Sequence, residues 1–343
     1  MILSGKKNNQ HLSNHSVSIL TTLNSTYNPK LISWIYCDLT LLHGKKGSGL
    51  TMESQKIYPP AFSFECFPAR TETGKKKLLD TSHQLAKVNP CFFSVTYGAG
   101  GSTRERTLAT VDAINVATSI EVVPHIAGIG ASQDEITSQL EHYKARGIRH
   151  IVVLRGDTPS GLRDFGDFNY ANDLIRFIRK QYGDYFFIEV AAYPETHPLA
   201  TSAQTDLISL QQKFESGADA ALTQYFYNPD AFFRFIDACE KRGIDQPIVP
   251  GIMPITHYHP LARFSAMCGA EIPRWIRLRL EEYGDDLVSL ADFGEEVVTR
   301  LCEQLLAGGA AGLHFYTMNQ ASPTLAIWNN LNISSNKSLR SRR

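Results

Sequence analysis

Eight short apolar runs, most of them closing on a polar or ionisable residue, constrain this chain more than any other feature. They cover residues 61–67, 91–97, 120–126, 149–155, 185–193, 219–226, 247–252 and 311–317. Most begin about thirty residues after the one before, the length of a strand–helix–strand repeat. Runs such as Ile151-Val-Val-Leu154 and Phe186-Phe-Ile188 are apolar on both faces, as strands covered by helices on one side and a core on the other must be. The closing residues are Glu65, Thr96 with Tyr97, His125, Arg155 with Asp157, Tyr193 with His197, Gln224, and Tyr316 with Asn319. A charge in such a strand costs several kcal/mol unless it is paired or used. Reactive side chains gathered along one edge of a parallel sheet are the way an α/β barrel builds a site.

The segments between the runs have helical signals. Ser132 and Glu135 form a capping-box pattern that opens a helix over 132–146, and Gly147 stops it. Helices are also expected over 103–117, over 206–215 ending at Gly217, and over 230–241 ending at Gly243. The long gap before the last strand leaves room for extra helices around 273–280 and 295–306. The expected architecture is an α/β fold, a (β/α)8 barrel over residues 56–331, with extra helices between strands seven and eight. The alternative is an open doubly wound sheet, which should carry G-x-G-x-x-G after its first strand. Gly98-Ala-Gly100-Gly101 lacks the third glycine and Gly128-Ile-Gly130 has Gln133 three positions on, in its place, so both read as tight loops that bring backbone close to a ligand.

Flanking segments differ in composition. Residues 1–55 are rich in Asn, Ser, Thr and Lys and read as a loosely ordered extension, while 332–343 form a polar, basic tail. An apolar patch at 31–42 is too short to span a bilayer. Thirty-four basic residues balance thirty-four acidic ones, which argues against nucleic acid or an acidic membrane as a partner. The six cysteines make no C-x-x-C pair and read as reduced residues of a cytoplasmic protein.

Several motifs point to a ligand. Arg155-Gly156-Asp157 offers a guanidinium fork beside a glycine that lets backbone approach a bound group; its plain reading is a surface turn. His125 and His197 each follow a strand, where a histidine is as often a satisfied hydrogen-bonding group as a reactive one. Gln224-Tyr-Phe-Tyr227 sets an amide among aromatics, suited to the edge of a flat heterocycle or simply to a core. His257-Tyr-His259 resembles half of a metal site, but only Glu65 and Asp157 are available to complete it, and no metal is expected.

Taken in order, nine stretches resemble the short bacterial-type methylenetetrahydrofolate reductase family. They are Ser63–Pro68, Ser94–Ala99, Pro124-His125, Gly147–Ile151, Leu154–Asp157, Val190–Glu195, Thr223-Gln224, Pro250–Ile252 and His314–Asn319. The resemblance implies a barrel that holds FAD non-covalently and takes NADH or NADPH as co-substrate. It implies ping-pong reduction of 5,10-methylenetetrahydrofolate to 5-methyltetrahydrofolate, a step that feeds methionine synthesis.

The same resemblance assigns roles. Glu65 matches the general acid, and Asp157 the anion near flavin and pterin that steadies the cation formed on ring opening. Gln224 matches the residue that hydrogen-bonds pterin and nicotinamide, and Phe264 the aromatic over which either can stack. The FAD positions are Thr96, Tyr97, Ala99, His125, Arg155, Gly156, Asp157, Tyr170, Ala171, Tyr193, His197, Ala200, Asp206 and Lys213. Among these, Lys213 and His197 match diphosphate partners and Tyr193 lies against the isoalloxazine. Gln320 stands where some members have an arginine for the folate tail; Ser209 and Gln212 replace an asparagine and an arginine. The family suggests a homo-oligomer acting on small molecules in the cytoplasm. Two competing readings are a metal-dependent barrel hydrolase or aldolase using His257, His259 and Glu65, and a non-catalytic pterin-binding barrel.

Overall fold

The computed structural model describes residues 51–97, 103–157 and 166–333. Eight parallel strands close on themselves in sequence order: β1 (Ala61–Cys66), β2 (Phe92–Val95), β3 (Glu121–Ala127), β4 (His150–Leu154), β5 (Phe187–Ala192), β6 (Ala220–Tyr225), β7 (Ile248–Ile252) and β8 (Gly312–Tyr316). The last strand pairs with the first, Ser63 beside His314 and Glu65 beside Tyr316. Closure removes the open edges that a doubly wound sheet would keep. The (β/α)8 architecture expected from the spacing is the one observed.

Ten helices are described: α1 (Glu72–Ala86), α2 (Thr103–Thr118), α3 (Gln133–Ala145), α4 (Ala171–Tyr182), α5 (Ala203–Glu215), α6 (Pro229–Glu240), α7 (Tyr258–Cys268), α8 (Arg274–Tyr283), α9 (Leu287–Gly308) and α10 (Ala321–Asn330). Three of them, α7 to α9, fill the long gap between β7 and β8. The capping box at α3 forms as its sequence dictates: the Ser132 hydroxyl accepts from the Glu135 N–H, and the Glu135 carboxylate accepts from the Ser132 N–H. None of the described helices is long and apolar enough to cross a membrane.

Strand alternation divides the core in two. Phe64 points outward, where its ring meets Phe93 and Trp328 of α10 at 5.9 and 6.1 Å. Its neighbours Ser63 and Glu65 point inward, where Ser63 Oγ lies 2.7 Å from His314 Nδ1. The helix-facing shell is almost wholly apolar, and it supplies most of the stabilisation by burial. The barrel lumen is not. Ser63, Ser94, His125, His150, Glu189 and His314 are all buried within it. At the base, Met52 is buried, and its N–H donates to Gly308; Gln55 is also buried and accepts from Ile248 N–H.

Candidate active site

Glu65 is the second-to-last residue of β1, one step inside the C-terminal mouth, and its side chain is 18 % exposed. Its Oε2 lies 3.7 Å from His125 Nε2 and 3.6 Å from His314 Nε2. His314 is held by Ser63, so a carboxylate faces two imidazoles on fixed strands. Burial lowers the basicity of His125; the carboxylate of Glu65 opposes that shift, and the neighbouring His314 adds to it. His314 opens the last of the family-like stretches, yet sequence alone gives it no role in the site. Its signal was the alternation of β8, which puts it on the same face as Tyr316.

Behind Glu65 the strand is clamped by the turn after β8. Thr317 Oγ1 donates to the Glu65 carbonyl at 2.6 Å, and the Asn319 amide both accepts from Phe67 N–H at 3.0 Å and donates to Phe67 O at 2.9 Å. Met318 and Asn319 both take positive φ to make this turn. Asn319 was read as a reactive mouth residue. The structure corrects this: both ends of its amide are spent on backbone. Gln320, the N-cap of α10, donates its N–H to Thr317 O.

On the opposite wall, β6 carries an irregularity between Leu222 and Tyr225. Within it Thr223 Oγ1 accepts from Gly251 N–H and donates to Gln224 O, while Gln224 Oε1 accepts from Tyr225 N–H at 3.0 Å. That leaves the amide nitrogen of Gln224 as the end to meet a ligand. Phe264 on α7 is exposed and lies nearly parallel to Tyr225, with ring centres 6.0 Å apart.

A cleft of ≈ 1420 Å³ opens over the ends of β3 to β5. Of the sequence-derived FAD positions, Tyr97, Arg155, Gly156, Asp157, Tyr170, Ala171, Tyr193, His197, Ala200, Asp206 and Lys213 line it. Thr96 and His125 are not among the residues that line it: Thr96 N–H donates to Cys66 O and its carbonyl accepts from Thr107, and His125 faces Glu65 in the lumen. Ala99 lies outside the described residues. The cleft also takes in Ile129, Asn172, Arg176 and Thr205, which the sequence reading did not single out, and Ser209 and Gln212, which it named as departures.

Two helices aim their N-termini at this cleft. Ala171 begins α4, and Ser202, Thr205 and Asp206 form the cap and first turn of α5. Free N–H groups at such ends favour anions. Gly156, at φ +88, is built for close approach: a Cβ there would stand 2.9 Å from Ala127 Cβ and Ile129 Cγ2. Lys213 donates to Ala191 O at 2.7 Å and sits 5.9 Å above the Tyr193 ring. Burial brings its ammonium down to about 8, against the pull of Asp206. Asp206 also accepts from His197 N–H at 2.7 Å, and His197 Nδ1 accepts from Leu199 N–H, which puts the proton of the neutral ring on Nε2. Arg155 Nε donates to Asn169 O, and Asp157 is exposed at the lip.

His257 caps α7 and lies 3.2 Å from Thr256 Oγ1, and Tyr258, between it and His259, donates to Glu281.

These features define a class: a (β/α)8 barrel with a carboxyl group at one strand end and a large cleft alongside it, both on the C-terminal face. Residues 52–332 match the family model described as methylenetetrahydrofolate reductase. The chain belongs to the methylenetetrahydrofolate reductase family. It is 38 % identical over 273 residues to 5,10-methylenetetrahydrofolate reductase of Escherichia coli K12, covering 79 % of this chain and 90 % of that one. It is 39 % identical over 286 residues to methylenetetrahydrofolate reductase (NADH) 1 of Arabidopsis thaliana, covering 80 % of this chain. The chain spans about half the length of that plant relative, 48 %. A solved structure, an uncharacterised protein from Clostridium thermocellum that binds two copies of 5-methyl-5,6,7,8-tetrahydrofolic acid, superposes with a TM-score of 0.56 at 16 % identity over 80 % of this chain and 96 % of that one. That likeness is one of fold.

Proposed function

We propose that this chain reduces 5,10-methylenetetrahydrofolate to 5-methyltetrahydrofolate with NADH or NADPH as donor, through FAD held in the cleft over β3 to β5. The observation that carries this reading is the Glu65 carboxyl, set between two imidazoles one step inside the mouth that the cleft adjoins. Family membership and the folate reductases it resembles support the substrate.

The residues of the cleft fit an FAD. A diphosphate needs N–H groups and a cation, and the starts of α4 and α5, with Lys213, provide both. Gly156, where a Cβ would strike Ala127 and Ile129 of the same wall, keeps that stretch of the cleft free of a side chain. FAD, when bound, supplies a two-electron carrier that can pass hydride from nicotinamide to folate.

The protein's own work is acid catalysis and charge placement. Hydride can reach the one-carbon unit only after the five-membered ring opens, and that requires a proton on the departing nitrogen. Glu65 donates it. The exposed Asp157 carboxylate favours the cation left on the substrate. The Gln224 amide nitrogen donates to the pterin edge, and Phe264 offers its exposed ring for stacking. Both substrates use one mouth in turn, which makes the cycle ping-pong. We place the activity in the barrel, residues 56–331, in a cytoplasmic homo-oligomer that supplies methyl groups for methionine synthesis.

Purified protein tests the reading. A yellow solution that NADH or NADPH bleaches without oxygen, and that methylenetetrahydrofolate recolours, is the expected result. A colourless protein to which FAD does not bind would end it.

A further inference from the structure

Below Glu65 the lumen holds ionisable groups that the chemistry at the mouth does not use. Glu189, in the middle of β5, is fully buried. Its Oε2 lies 3.4 Å from His150 Nε2, and the other nitrogen of that ring lies 3.8 Å from Oε1 of Glu121, which is half exposed at the opposite mouth. His125, Val152 and Glu189 occupy one register row across β3, β4 and β5. Two strand spacings set His125 and Glu189 roughly 10 Å apart at the backbone, a gap that two inward side chains and a water can close.

A buried carboxylate with so little compensation is expensive. His125 Nε2, His150 Nε2, His314 Nε2, Ser94 Oγ and both Glu189 oxygens are buried without a hydrogen-bond partner among the described residues. Groups of this kind are normally satisfied by internal water. The ring of His150 is also wedged between Phe92 and Phe187, with centres 4.8 and 5.0 Å away, so it is held in place between its two carboxylates.

We infer that Glu121, His150, Glu189 and His125 form a proton path through the barrel, which returns a proton to Glu65 from the face opposite the substrate. The inference rests on the reading of Glu65 as the acid. Each reduction of the methylene group uses one hydride and one proton, and the proton leaves Glu65. Folate and nicotinamide fill the mouth in turn and cover the exposed side of that carboxyl, and a route from below reloads it without waiting for the mouth to empty. In the path each transfer breaks one N–H or O–H bond and makes the next. One proton enters at Glu121, one arrives at Glu65, and no electrons move. Alternating carboxylates and imidazoles suit this, because each ring can accept at one nitrogen while it donates at the other. Burial favours the neutral form of His125, and His150 is drawn the other way because Glu189 and Glu121 outweigh its burial, with Asp219 adding to them. These residues act through Glu65 and do not touch the substrate.

The test compares the parent with Glu189→Gln, which keeps shape but cannot carry the proton, and with Glu121→Gln at the far mouth. In Glu189→Gln, bleaching by the nicotinamide should stay within about twofold of the parent. A first recolouring by methylenetetrahydrofolate, which spends the proton already on Glu65, should also stay close to the parent, whereas steady-state turnover with both substrates should slow roughly tenfold or more, with a larger slowing in D2O. Glu121→Gln should slow steady-state turnover less, and added imidazole should restore it. Unchanged steady-state turnover and an unchanged D2O effect in Glu189→Gln would overturn the path. If the parent itself does not bleach, the enzyme reading fails and nitrogen-15 histidine spectra of the ligand-free protein decide. Glu189→Gln displacing both the His125 and His150 signals supports the path; displacement of His150 alone overturns it.

Discussion

The Tyr316 hydroxyl donates to the carbonyl oxygen of Thr223 at 2.7 Å, tying β8 to β6 across the intervening β7. The bond is possible because β7 presents Gly251 at the crossing. A Cβ there would land on the Thr223 carbonyl oxygen and 2.6 Å from Tyr316 Cε2. Tyr316 neighbours Glu65 in the barrel, and Thr223 precedes Gln224. One glycine therefore sets the distance between the proposed acid and the proposed pterin-binding amide.

Gly251→Ala should cost about 1–3 kcal/mol through overpacking against backbone that cannot yield. Urea unfolding measures the loss. Turnover should fall further than the lost stability explains, because both walls of the mouth shift.

Asn319→Ala removes two hydrogen bonds to Phe67. With about 1 kcal/mol for each, and more where a backbone group is left unsatisfied, the loss should be about 1–3 kcal/mol. Asn319→Asp keeps the acceptor but loses the donor to Phe67 O, and should fall between the parent and alanine in thermal melts.

Lys213 gives the cleft a pH dependence. Its ammonium is charged below about 8 and neutral above. Affinity for a diphosphate-bearing ligand such as FAD should hold at pH 7 and weaken as pH rises through that value, roughly tenfold overall. Titration calorimetry from pH 7 to 9.5 tests this. In Lys213→Met the affinity should be lower and nearly flat over the same range.

Glu195 tests the loop after β5. Burial raises its carboxyl to about 7, while the Glu271 N–H it accepts at 2.8 Å opposes the shift. A carboxyl raised this way binds its proton more tightly in the folded protein, so folding loses stability as pH rises from its ordinary value of 4.5 to about 7. Glu195→Gln keeps an acceptor and cannot ionise. Its melting temperature should match the parent near pH 4.5 and exceed it at pH 8.

The barrel was legible because its strands are marked locally. Ile151-Val-Val-Leu154 is apolar on both faces, and Ser132 with Glu135 starts a helix through contacts three residues apart. Residues at strand ends, such as Glu65, Arg155 and Tyr193, were legible for the same reason: a polar group there breaks an apolar run. Glu189 and His150 break such runs too, but what they meet is set by closure of the barrel, which no local pattern records. His314 finds Ser63 across 251 positions of sequence. Asn319 shows the converse. Its place after β8 suggested chemistry, and only the fold reveals that its amide clamps Phe67.

Glu65→Gln separates proton donation from flavin chemistry, when the two half-reactions are followed separately by flavin absorbance without oxygen. The variant should bind FAD and be bleached by NADH or NADPH at close to the parent rate, and should fail to recolour with methylenetetrahydrofolate, slower by a factor of roughly 10² or more. Recolouring at the parent rate would contradict the assignment of Glu65 as the proton donor and, with it, the mechanism built on its place between His125 and His314.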